Sequence, residues 1–561
     1  MGRKSAGMTV DFIDDMLTIT FTEEKIRQLL QMLKREGFQR VFWYDYPAHT
    51  GWFRDCGVFG KILNSLPHVP NHAEIAVREG KALGLEMYVT YKPYEEGGLF
   101  SFPPGSEMDR KYGKLQRLGG RPALCTEWLL QHPEMRVRRR MEEIPPDVDQ
   151  KVIDRIEIDK ADDVPSGLAK GDLRLYVSRD NARYAEYSGR WEFKEETVPA
   201  LLLDYFGQQI NTETRKTRRI TLSGLRLGPE WKYVAVDAGE KGAAFKSIPM
   251  TMCRVYDPEG KLIPVTFAVK SGERKPDPYA VSQGISSGGF IENGFEYDAV
   301  GYAMGCSGAY YLNQPRPLML GITRGVNEYL AGAVCEAYPE VRQHWMEEIR
   351  RILSYGPDGI EIRIANHSSD TQDPFAYGFN EPVLEEYRRL EKADAVAYDP
   401  VKIMRIRGAF FTRFLAEASA AIHAAGKRVQ AQVIAPYASG NVRAMANRSF
   451  CGVWPDWEEW VRRYADAITF RDFLAEFYNP RFDQVIKPFA RSLNREVWAP
   501  AYFTMSFNNV NDTYLQAVER DEEITGVMFY ESWEIYEERG GRFEMKPEFA
   551  EPVRRFMKRN Q

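Results

Sequence analysis

The sequence predicts a closed (β/α)8 barrel, the TIM-barrel form of the α/β class, with a β-sandwich-like module inserted after its second strand. Three observations carry this prediction. Eight strand-like runs each follow a turn or a helix-like segment, and eight is the number that closes such a barrel. Helical periodicity fades between about 144 and 311, where short strand-like runs take over. The run Asp358-Gly359-Ile360-Glu361-Ile362-Arg363-Ile364 alternates apolar and polar side chains. A parallel strand covered by helices is normally apolar on both faces. A barrel strand whose inward face leads into an active site is the exception.

The elements follow in order. Residues 23–36 carry an apolar stripe (Ile26, Leu29, Leu30, Leu33) at helical spacing, and Gly37 leads into a strand at 40–46. A second helix over 72–83 stops at Gly84, where a left-handed cap favours glycine, and feeds a strand at 85–91. Short runs at 173–178, 190–193, 218–222, 231–236, 250–256 and 263–269 then suggest a sandwich. The alternation of helix and strand resumes with a strand at 317–322 ending at Arg324. Further strands follow at 360, 428–434, 467–470, 496–503 and 526–530. The expected organisation is barrel at 1–140 and 313–561, with the mostly-β module at 141–312. An open doubly wound sheet would need a glycine-rich phosphate turn after its first strand, and Tyr44-Asp45-Tyr46-Pro47 stands there instead.

Composition narrows the function classes. With 44% hydrophobic and 28% charged residues in 561, the chain has the material for a large core. A net charge of −5 argues against a general nucleic-acid partner. No run of eighteen apolar residues exists, so no membrane span is expected, and the first residues lack a signal-peptide core. The expectation is a cytoplasmic protein, although a chain trimmed of an export signal reads the same. Six cysteines without paired spacing are expected to be reduced. Association of identical chains stays open.

In a TIM barrel, chemistry gathers at the C-terminal strand ends. Those ends carry Asp45; Lys92; Arg324; Glu361, Arg363, Asn366 and His367; Gln430, Gln432 and Tyr437; Arg471 and Asp472; Tyr502; and Glu531, Trp533 and Glu534. Metal-ligand spacing, a nucleophile elbow and phosphate-loop glycines are all missing from this set, so no metal or cofactor is expected. Glu531 is the first candidate for catalysis, since it ends an apolar run and a carboxylate there can protonate a leaving oxygen or attack an anomeric carbon. Its alternative is a structural partner for a mouth arginine. Asp472 is the second candidate, with a helix N-cap as alternative. Glu361 is the third, and its early place in the strand favours tying down Arg363. Asp45 is a sugar-hydroxyl acceptor or a partner of Lys92. The remaining residues, Arg324, Arg363, Asn366, His367, Tyr437, Arg471, Tyr502 and Trp533, suit substrate binding, and the arginines suit anionic groups.

The segments Asp358-Gly359-Ile360-Glu361-Ile362-Arg363, Tyr377-Gly378-Phe379-Asn380 and Gln131-His132-Pro133-Glu134 resemble those of glycoside hydrolase-like TIM-barrel families of bacterial polysaccharide metabolism. The resemblance covers most of 20–140 and 313–561. It implies a carbohydrate-active hydrolase with a pair of mouth carboxylates, acting on an oligo- or polysaccharide, acidic or sulfated sugars included. One departure stands out: Arg363 occupies the position where those barrels often carry the strand-four acid. A non-catalytic carbohydrate-binding barrel and a polysaccharide lyase are therefore the competing readings.

Overall fold

The computed structural model describes residues 3–12, 15–16, 19–45, 65, 67–98, 117–118, 121–122, 124–142, 145–160, 162–179, 185–201, 208–209, 216–237, 250–269, 319–325, 328–366, 374–392, 398–433, 452–470, 482–502 and 512–560. Its chain divides into two compact units, one of residues 1–94, 336–366 and 381–561 and the other of 95–335 and 367–380.

The first unit is a closed barrel of eight parallel strands. These are β1 (Ser5–Val10), β2 (Arg40–Tyr44), β3 (Glu86–Tyr91), β4 (Gly359–Ile362), β5 (Arg428–Val433), β6 (Ala467–Phe470), β7 (Glu496–Tyr502) and β8 (Gly526–Tyr530). Between them run α1 (Glu23–Arg35), α2 (His72–Ala82), α3 (Pro339–Ser354), α4 (Glu381–Glu391), α5 (Pro400–Ala424) and α6 (Asp512–Arg520), and α7 (Pro547–Arg559) closes the chain. None of the described helices is long and apolar enough to cross a membrane. The local causes are visible in α1. Thr22 caps it by accepting the Lys25 N–H at 3.3 Å, and its buried stripe is Ile26, Leu29, Leu30, Met32 and Leu33. Gly37 leaves it at φ +98°.

Seven of the eight barrel strands coincide with expected ones. The exception corrects the strand count. β1 pairs with β2 on one side and β8 on the other, and so closes the barrel. The strand expected at 317–322 is Met319–Arg324, and it belongs to the second unit, antiparallel to Tyr233–Asp237 and Val265–Val269. A short apolar run does not specify its partner, and here it found an antiparallel sheet. Three barrel strands therefore precede the second unit rather than two.

The second unit holds two five-stranded antiparallel sheets. Ile156, Ile158, Ile220 and Val255 from one share a core with Leu175, Val234, Val236 and Ile322 from the other. Two sheets joined by their apolar faces make a sandwich. The expected limits at 141 and 312 both fall inside this unit.

Candidate active site at the barrel mouth

Alternation along β2 fixes which side chains enter the lumen. Trp43 points outward and donates its indole N–H to His72 of α2 at 2.9 Å. Arg40, Phe42 and Tyr44 therefore point inward, and the lumen fills in layers. At the bottom, Arg40 pairs with Glu86 at 2.7 Å and Glu496 at 3.1 Å. Its guanidinium lies 4.3 Å from the Tyr88 ring centre and 4.2 Å from that of Trp498. In the middle, Thr90 donates to Glu361 at 2.7 Å, and Gln430 donates to Thr469. Above them Arg363 donates to Glu361 at 3.2 Å and lies 5.0 Å and 4.7 Å from the ring centres of Tyr44 and Tyr530. The two tyrosine hydroxyls meet at 2.6 Å.

The mouth is built where β8 meets β1. The Tyr530–Glu531 peptide is cis. Glu531 is half-buried, and its Oε2 accepts the Trp533 indole N–H at 3.1 Å. None of the described residues donates to its Oε1. Beside it lies a fully buried acid that the sequence did not reveal. Asp15 accepts from Ser532 at 2.8 and 3.0 Å and from the Tyr536 hydroxyl. Burial pushes the Asp15 carboxyl up to about 8; the Tyr536 and Ser532 hydrogen bonds oppose this, and the charges of Asp11 and Glu531 add to it. Burial likewise raises Glu534 to about 7, against Lys546 and with Glu531. Tyr530 is raised well above the usual phenol range by burial, then by Glu531 and Asp11.

The structure brings together Lys92, Arg363, Tyr502, Glu531 and Trp533 at the upper lumen and its rim, with Glu361 one layer below Arg363. Lys92 Nζ lies 4.5 Å from the Tyr44 ring centre, and the Tyr502 ring is 5.0 Å from that of Tyr530. Asn366 is buried and donates to its neighbour Ile364 carbonyl at 2.9 Å. Asp45 pairs with Arg351 of α3 at 2.6 Å, not with Lys92. Arg324 is the clear correction. It lies in the sandwich unit and donates to the carbonyls of Lys151, Gly228 and Trp231, because its strand is not a barrel strand. His367, Tyr437, Arg471 and Asp472 lie outside the described residues. Sequence reasoning missed Asp11, Asp15 and Tyr530. Asp11 had a usable signal, a carboxylate directly after the run Met8-Thr9-Val10.

No family model matches this chain, and no curated protein does. Among solved structures it is similar to the β-galactosidase of the psychrophilic Marinomonas ef1, at 7% identity and a TM-score of 0.39, over 99% of this chain and 59% of that one. It is similar to the catalytic domain of β-amylase from Paenibacillus polymyxa at 10% identity and 0.30, over 99% and 98%. It is also similar to a variant of morphinone reductase in complex with tetrahydroNAD, at 10% and 0.32, over 94% and 82%. This chain thus spans about three-fifths of the β-galactosidase. At these scores the likenesses assign no activity, and the barrel rests on its own strand pairing.

Proposed function

We propose that this chain is a carbohydrate-active hydrolase whose reacting carboxylate is Glu531. One observation carries the reading. Glu531 ends the last barrel strand half-buried, with one oxygen held by an indole N–H and the other without a donor among the described residues. That is the disposition a carboxylate needs to protonate a glycosidic oxygen or to attack an anomeric carbon. The half-buried Trp533 ring supplies a flat apolar face for a sugar ring, and Arg363 and Lys92 favour acidic or sulfated ones. Glu361 suits anchoring better than attack, because it is wholly buried and engaged by Thr90 and Arg363.

A binding barrel without turnover is the second reading, favoured by Arg363 standing where a strand-four acid would be. A lyase using a tyrosine base draws no support from Tyr530, since a raised phenol gives up its proton less readily.

The test is reducing-end release from a panel of neutral, uronic and sulfated polysaccharides. Glu531→Gln keeps the shape and removes the proton carrier, so kcat should fall on the order of a hundredfold or more. Normal turnover in that variant would sink the assignment. Binding without release in the unaltered chain would establish the second reading.

A further inference from the structure

Gln432 offers a hydrogen-bond donor that the fold does not use. It stands on β5 two residues beyond Gln430, and Gln430 reaches Arg40 and Thr469 inside the lumen, so Gln432 shares that inward face. β5 pairs with β4 up to Ala431 opposite Ile362, which sets Gln432 at the height of Arg363. Its side chain is oriented without ambiguity. The Ala365 N–H lies 3.0 Å away and can only donate, so the atom it meets is the amide oxygen. The amide nitrogen then points elsewhere. It is buried, the residue is 1% exposed, and none of the described residues accepts from it. A buried NH2 group without an acceptor is costly to the free protein. Gln430, two residues earlier on the same face, has both ends of its amide engaged.

We infer that Gln432 is a specificity-determining residue whose Nε2 donates to an acceptor oxygen of a saccharide, a hydroxyl or a carboxylate, that enters the lumen beside Arg363. The inference rests on the carbohydrate reading of the mouth. It deepens that reading by placing one sugar oxygen between β4 and β6 rather than at the rim. Its company there is Arg363, whose guanidinium lies between the Tyr44 and Tyr530 rings.

Two substitutions in the full-length chain separate the roles of this amide. Gln432→Glu keeps the oxygen that caps the Ala365 N–H and sets an acceptor where the donor was. Gln432→Met removes both. The readouts are KM and kcat on the best-cleaved member of the polysaccharide panel, and the thermal shift each saccharide produces. We expect KM to rise roughly tenfold or more in Gln432→Glu, with a smaller change in kcat and a loss of most of the saccharide-induced thermal shift. Unchanged KM and shift in Gln432→Glu, with only a lower midpoint in Gln432→Met, would reduce the residue to a backbone cap beside a water molecule and overturn the proposal. Saccharide binding without hydrolysis, lost in Gln432→Glu, would uphold this proposal while removing the hydrolase reading. A panel in which nothing binds would overturn both.

Discussion

Asp15 ties the segment after β1 to the segment after β8, and its proton sets how that tie responds to pH. The folded carboxyl, at about 8, lies above its ordinary value of 3.8. Between those values the folded state holds a proton that the unfolded state has released. Stability therefore falls as pH rises through this window and levels off above the folded value. Urea midpoints should thus decline from pH 5 to pH 8 in the unaltered chain and decline less in Asp15→Asn; equal slopes in both would contradict the assignment. Arg363→Ala should cost roughly 3–5 kcal/mol in addition to weakening anionic saccharides, since it removes a cation paired with the wholly buried Glu361. The place of Glu531 at the end of a barrel strand was legible in the sequence because it follows the run Gly526-Val527-Met528-Phe529-Tyr530. Asp15 was not, since Ser532, which engages its carboxylate, lies 517 residues further along the chain. No local pattern carries that information.

At the scale of elements, large and small residues alternate across neighbouring strands to fill the lower lumen. A Cβ on Gly526 would come within 2.7 Å of the Trp498 ring, one on Gly7 within 2.7 Å of Phe42, and one on Gly359 within 2.3 Å of Tyr88. The bulky rings on β2, β3 and β7 thus require glycine on β1, β4 and β8. Gly526→Ala should destabilise by about 1–3 kcal/mol, read as a lower urea midpoint, because a packed ring must move. Helices with a clear apolar stripe, such as α1, were legible, as were strands with apolar runs. β1 was not. Its Ser5-Ala6-Gly7 start is small, Gly7 because Phe42 and Trp498 fill the space beside it, and small residues give no strand signal. Met319–Arg324 gave a false signal for the converse reason: Ile322 is apolar for the sandwich core.

For the molecule as a whole, the barrel is closed by joining its first strand to its last. Ser5 extends that seam by donating its backbone N–H to the Thr525 carbonyl at 3.0 Å. A chain lacking residues 1–11 would leave the facing edges of β2 and β8 unpaired, and we expect it to aggregate on expression; a soluble product with a cooperative thermal transition would refute this. The position of the second unit also governs how the protein is made. The ribosome completes β3 and must then synthesise roughly 270 residues before β4 emerges, on the order of 10–50 s at about 5–20 residues per second. Throughout that interval the nascent chain holds three barrel strands with both outer edges bare, and β8 comes later still. Such edges are what holdase chaperones bind. Slow translation of the second unit should therefore raise the demand for chaperones far more than slow translation after β8.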